Sequence, residues 1–203
     1  MYLEVAPKRA FACAADWPGW CRSGRTPEAA VDAFTAYRPR YALVAALAGQ
    51  RVTTGGIEVV EEVAGNATTE FGAPGVVPPS DGDPWRRGEL RRHLALLAAA
   101  WSALDDAVRA APAVLRKGPR GGGRDRDAIY AHVVEAEDAY ARKIGVRVKA
   151  TAADRAAVDA RRAAIVDALE GGDGAAWKWP ARYVIRRTAW HAIDHAWEVE
   201  DRH

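Results

Sequence analysis

The sequence predicts an α+β protein: a small amino-terminal α/β domain over residues 1–82, then an antiparallel four-helix bundle over residues 83–203. Three observations carry this. Before residue 82 the apolar stretches are short and broken by glycine and proline, as in RAFACAADWPGWCRSGRT and GGIEVVEEVAG. Beyond it, apolar residues recur at alternating spacings of four and three, the period of one helical face. The helical segments are joined by modest loops, which suits antiparallel neighbours in a bundle.

In chain order, strands are expected around residues 9–15, 19–23 and 57–64, with turns at Pro18-Gly19 and Gly55-Gly56. Between them, TPEAAVDAFTAYRPRYALVAALAG opens with Thr26 as an N-cap and Pro27 at the first helical position. Pro39 should interrupt or kink that helix, because it has no N–H to donate. EFGAPGVVPPSDGDP has the composition of a connecting loop. In WRRGELRRHLALLAAAWSALDDAVRAA, the residues Leu90, Leu94, Leu97, Trp101, Leu104 and Val108 form one apolar stripe on a long helix. RGGGRDRD reads as a loop and DAIYAHVVEAEDAYARKIG as the second bundle helix. The third, TAADRAAVDARRAAIVDALEGG, has Thr151 at its N-cap and glycines at its end. After GGDGAAWKWP comes the fourth, ARYVIRRTAWHAIDHAWEVEDR.

Composition narrows the function. Hydrophobic residues make up 49% of the chain, enough for a buried core, yet no uninterrupted apolar run reaches the ~18 residues of a membrane helix. A net charge of +2 gives no strong pull toward nucleic acid. MYLEVAPKRAFACAADW lacks a positive leader with an apolar core and cleavage site, so no secretion signal is expected. With only Cys13 and Cys21 for a disulfide framework, a cytoplasmic location follows as the expectation.

The chemistry concentrates on histidine. His191 and His195 lie four apart, so on a helix they share a face with roughly 6 Å between their β-carbons. Two imidazoles so placed can reach one metal ion. Val184, Thr188, His191 and His195 continue one face of the fourth bundle helix. Burying two ionisable rings there without partners would be costly. His132 is the third candidate donor, because Ile129, His132, Val133 and Ala136 share the apolar face of the second helix. Each ring could instead be a core histidine bonded to a backbone carbonyl. His93, beside the apolar stripe, reads as a flanking residue, and His203 as a frayed, solvated end.

A bundle with one histidine in its second helix and HxxxH in its fourth resembles the DinB-like metalloprotein superfamily. The resemblance covers residues 84–203 and places His132, His191 and His195 where that family keeps its metal ligands. Relatives often carry His-Arg-Gly at the end of the motif, whereas this chain has His195-Ala196-Trp197. The resemblance implies a transferase or isomerase using a low-molecular-weight thiol of the mycothiol or bacillithiol type; imidazole donors suit a divalent transition metal, with zinc or nickel expected ahead of copper and iron. Three neutral nitrogens and no protein anion would leave an open coordination position, as in catalytic rather than structural sites.

Acidic neighbours could orient the imidazoles through their second nitrogens. Glu135 lies near His132, Asp194 precedes His195 and Glu198 follows it by three. Each reads equally as a solvated surface charge. Trp190 and Trp197 flank the pair as pocket walls or as core. Arg186 and Arg187 could bind a substrate carboxylate, although solvent-facing arginines are the plainer expectation. The loops around 113–127 and 171–180 are the expected source of further pocket residues.

Near residues 9–36, DWPGWCRSGRTPEAAVDAF resembles the strand–turn–strand–helix segment of HicB-like antitoxin domains through Asp16, Pro18, Gly19, Gly24, Thr26 and Glu28. The pattern is also explained by a Pro-Gly turn and a capped helix, so toxin binding is not carried over. Cys13 and Cys21 could meet across a hairpin as buried, inert thiols. Expected partners are a small-molecule substrate or thiol. A non-catalytic protein whose amino-terminal domain docks a partner is the alternative, and a homodimer through the first bundle helix is a third reading.

Overall fold

The computed structural model describes residues 1–52, 55–118 and 123–203. It is a mixed α+β structure that divides into two compact units, Met1–Ala99 and Ala100–His203. Among the described residues no helix is long and apolar enough to cross a membrane.

The first unit is built on a four-stranded sheet of order β3-β2-β1-β4. Its strands are β1 (Tyr2–Ala6), β2 (Arg9–Cys13), β3 (Cys21–Gly24) and β4 (Glu61–Ala64). β1 and β2 form an antiparallel hairpin closed at Ala6↔Arg9, and β2 continues antiparallel to β3 with Cys13 opposite Cys21. β4 joins β1 in parallel, starting at Tyr2↔Glu61. The strand expected over 57–64 is shorter: its ladder begins at Glu61, and the residues before it are tied to Met1, whose carbonyl accepts from the Val60 N–H at 2.9 Å. Gly55 and Gly56, expected as a turn, lie in irregular chain beside residues 53 and 54, which fall outside the described set.

Gly19, with φ +91°, makes the turn after Pro18. Gly24 ends β3 where a β-carbon would lie 2.3 Å from the Ala30 backbone nitrogen, so only glycine lets the sheet approach the next helix this closely. That helix, α1 (Pro27–Ala36), is capped by Thr26, whose hydroxyl accepts from the Ala29 N–H at 3.2 Å. Pro39 does interrupt the helical run, and α2 (Arg38–Leu47) starts afresh with the proline in its first turn. Trp20 anchors both helices to the sheet. Its ring stacks on Phe34 at 4.2 Å and on Tyr41 at 5.3 Å, and its indole N–H donates to the Phe34 carbonyl at 2.9 Å.

The stretch read as a plain loop holds the end of a short helix, α3 (Ala67–Phe71), and a 3₁₀ turn over Pro79–Gly82. Asn66 and Thr69 close a reciprocal capping box, a signal that lies just before the stretch. The fully buried Glu4 accepts hydrogen bonds from the Thr69 hydroxyl and from the backbone N–H groups of Gly75 (2.8 Å) and Val76 (3.1 Å). A buried carboxylate so satisfied pins this segment to β1.

The helix α4 (Glu89–Ala110) buries Leu94, Leu97, Trp101 and Leu104 of the expected stripe, while Leu90 and Val108 at its ends are half-buried. The second unit continues with α5 (Arg126–Ala141), α6 (Arg155–Gly171) and α7 (Ala181–Asp201). α5 stops at Ala141 rather than running to Gly145, because a 3₁₀ turn over Arg142–Ile144 follows and Gly145, at φ +81°, closes it. The cap of α6 is Asp154, not Thr151: its carboxylate accepts from the Ala157 N–H at 3.0 Å. Of the RGGGRDRD loop, residues 119–122 lie outside the described set.

Charges hidden between helices tie this unit together. Arg162 of α6 reaches Asp105 of α4 at 2.8 Å and Glu137 of α5 at 3.4 Å. Arg161, fully buried, donates to the Val134 carbonyl at 2.7 Å and lies 3.5 Å from Glu137. The end of α7 is held by Arg116, which donates to the carbonyls of Asp201 at 2.7 Å and His203 at 3.1 Å. His203 is exposed, as expected of a chain end, but it is tethered rather than frayed.

Candidate metal centre

α7 starts cleanly after Pro180, whose extended backbone suits the position before a first helical turn. Nearly every position from Arg182 to Val199 is buried or half-buried, so α7 is a core helix. Along it, Arg187, His191 and His195 follow at intervals of four, each step turning about 40° round the axis. On α5, His132 and Tyr140 are eight apart and share a face in the same way.

These faces meet. The His132 ring lies 5.0 Å from His191 and 5.1 Å from His195, and the latter two are 4.7 Å apart. All three pairs are edge-on, with interplanar angles of 74°, 88° and 83°. Edge-to-face is also an ordinary packing geometry for aromatic rings, so what marks this group is the convergence of its nitrogens. One ring nitrogen from each lies within 4.8 Å of the others, and the three could hold a metal ion. Tyr140 stands next, 5.9 Å from His191. As the α5 numbers rise the α7 numbers fall, so the two helices run antiparallel.

The electrostatics favour the ligand form of these rings. Burial holds His191 well below the ordinary imidazole pKa, with further depression from His195, Arg187, His132 and Arg124. His132 is lowered chiefly by burial and then by His195. Both are therefore neutral, with lone pairs available to a metal. His191 Nδ1 is enclosed and has no hydrogen-bond partner among the described residues. A buried ring nitrogen left without a partner is costly, and an ion or a ligand would satisfy it. The donor set thus fits a divalent transition metal.

Glu198 completes the arrangement. Its carboxylate lies 2.7 Å from His195 Nδ1 and also accepts from Arg202 at 2.7 Å. The hydrogen bond from His195 is the main reason its pKa falls below the usual carboxylate range. With Nδ1 so engaged, Nε2 is the nitrogen whose lone pair faces outward, which is how a carboxylate fixes a ligand's tautomer. Compared with protein-family models, with curated proteins and with solved structures, the chain matches none.

Of the acidic neighbours singled out in the sequence, Glu198 alone is bonded to a histidine of the cluster. Glu135 is exposed, and its charge reaches His132 only as a lesser influence. Asp194 is half-buried one position before His195. Trp190 and Trp197 are both core residues, at 6% and 4% exposure, and Trp190 lies 5.8 Å from His191. The expectation of solvent-facing arginines fails. Arg186 is buried, and Arg187 places its guanidinium 4.7 Å from the Trp190 ring and 5.4 Å from that of Tyr140, on a helix whose surroundings leave little room for solvent. Tyr140 was not singled out, although its spacing from His132 was a usable signal. From the loop before α7, Trp179 packs 5.5 Å from Tyr140 and 4.8 Å from Tyr183. His93 lies in the other unit, fully buried, in a separate group with Asp16 and Glu89 that could also hold an ion.

Proposed function

We propose that the chain is a metal-dependent enzyme, with His132, His191 and His195 as the protein ligands of one divalent ion, zinc or nickel. The reading includes a low-molecular-weight thiol as co-substrate in a transfer or isomerisation reaction, which is what the resemblance of residues 84–203 to the DinB-like superfamily implies. One observation carries it: three edge-on imidazoles converge, two of them held neutral by burial, with the third oriented by Glu198. Imidazole suits both metals.

Bound there, such an ion lowers the pKa of a thiol or water that joins it. The chain's own contribution is positional. Glu198 sets the tautomer of His195, and the buried flank of α7 keeps solvent from His191. No carboxylate is among the three donors, so an ion keeps its full charge and an open position. Metal content measured on tag-free protein tests the reading. About one ion per chain in the wild type and none in a variant with all three histidines replaced by alanine is the expected result. Undiminished metal in that variant would overturn it.

A second reading has its own support. Leu43 and Leu47, one turn apart on α2, are 72% and 57% exposed, and Phe71 is 91% exposed. Such residues suit an amino-terminal unit that docks a partner. A stable co-purifying protein on a metal-free chain would favour that reading over catalysis.

A further inference from the structure

We propose that Arg187 and Tyr140 form a carboxylate-binding subsite beside the three histidines, so that the substrate is a small carboxylic acid with its acid group at Arg187. The proposal rests on the metal-dependent reading above for the other end of the substrate, which faces His132, His191 and His195. It names the substrate class that reading leaves open.

The first argument is a half-buried charge without an acid. Arg187 is half-buried, its Nη1 is enclosed without a hydrogen-bond partner, and no carboxylate pairs with it among the described residues. Two other arginines of this unit do have acids: Arg162 has Asp105 and Glu137, and Arg161 has Glu137. A cation removed from water without an anion is expensive, and a ligand anion would offset the cost. Arg187 lacks such an acid, and an anion from outside the chain would supply it.

The second argument is orientation. The guanidinium is held between two aromatic rings, 4.7 Å from the Trp190 centroid and 5.4 Å from that of Tyr140. Stacking of this kind fixes the plane of the fork and leaves its edge to bind. The phenol of Tyr140, kept protonated by burial, has a proton to donate. Two donors side by side, one of them charged, match the two oxygens of a carboxylate.

The third argument is placement. Arg187 lies one turn before His191 on α7, about 6 Å along the axis, and Tyr140 approaches His191 from α5 at 5.9 Å. The subsite is thus the next level of the same α5–α7 seam, a short carbon chain away from the histidines. Positive side chains stand near: Lys143 lies over Trp179 at 5.2 Å, and Arg124 acts on both His132 and His191, while Glu137 is the acid whose charge reaches Tyr140.

The test titrates zinc-loaded full-length protein with 3-mercaptopropionate and with 2-mercaptoethanol by calorimetry. The two thiols differ mainly in the carboxylate. The wild type should bind the acid roughly tenfold more tightly, the worth of one charge-assisted hydrogen bond. Arg187→Met should equalise the two while keeping its zinc, and Arg187→Lys should retain part of the preference. Equal affinities in the wild type, or a preference that survives in Arg187→Met, would overturn the subsite and leave the metal reading standing. If the wild type holds no zinc, the metal reading fails on its own. The same titration of metal-free protein then decides the subsite, since Arg187-dependent binding of the acid keeps it and its absence removes it. Should Arg187→Met fail to fold, Arg187→Lys and Tyr140→Phe decide, each expected to cut the preference several-fold; an unchanged preference in both would overturn the proposal.

Discussion

Glu198 and His195 sit three residues apart on α7, with carboxylate oxygen and ring Nδ1 2.7 Å apart. The pair is local, held by one helix, and Arg202 steadies the carboxylate from the next turn. Removing the charge from Glu198 should leave α7 intact but free the His195 ring to choose its other tautomer. Glu198→Gln should therefore weaken metal binding about 10–100-fold. Competition against a chelator of known affinity measures this, and an unchanged competition curve would mean that Glu198 is a surface charge with a fortunate neighbour.

The neutral histidines impose a pH dependence on the metal-free protein. In the unfolded chain a histidine takes up a proton near pH 6.5, whereas burial keeps His191 in the folded chain neutral well below that. Below about pH 6.5 the unfolded state binds more protons, so stability falls as pH falls and is full above that point. The loss continues until the folded pKa is reached, with a slope approaching about 1.4 kcal/mol per pH unit for one such group. His132, lowered less, adds to the same window. Urea midpoints of metal-free protein should drop from about pH 7 to about pH 5, and His191→Leu should remove much of the slope. A flat profile in the wild type would show that the rings are solvated.

These rings were legible in the sequence because each lies on the inward face of a strongly periodic helix, where spacing alone fixes direction. Tyr140 was equally well placed, eight residues after His132, but what gives it meaning is Arg187 on another helix. The same distance along the chain hid Glu137, an ordinary helical acid until Arg161 and Arg162 of α6 close on it. β1 was missed for a different reason. As an inner strand it buries Tyr2, Leu3, Glu4 and Ala6 on both faces, so it shows no alternation, and its turn to β2 lacks glycine. At the start of α6, Thr151 and Asp154 are both good caps by type, and composition cannot rank them. The turn at Gly19 was readable from its Pro-Gly pair, whereas Gly55-Gly56 gave the same signal in a stretch that is irregular.

Glu137 makes a sharp stability test. It is 1% exposed and answers two buried arginines, so its removal strands their charges. Glu137→Ala should cost about 3–5 kcal/mol, measured from the urea midpoint at unchanged slope. Adding Arg161→Met to that variant should recover part of the loss, because the second change removes a charge the first left unpaired. Strict additivity of the two losses would show that Glu137 and Arg161 do not act as a pair.

Cys13 and Cys21 stand directly opposite on β2 and β3, both buried, with their sulfurs 2.7 Å apart. Burial pushes the Cys21 thiol well above its ordinary pKa, and the adjoining Cys13 thiol adds to the rise. Both sulfurs are enclosed, so the folded chain should shield them from reagents near neutral pH. Labelling with an aromatic disulfide reagent should be roughly 100-fold slower in native than in urea-denatured protein, its rate set by local opening of the sheet edge at β3. Opening there would expose both thiols together, so the two should react with one rate constant. Equal native and denatured rates would mean that β3 leaves the sheet readily, and two separate native rates would mean that the pair does not open as a unit.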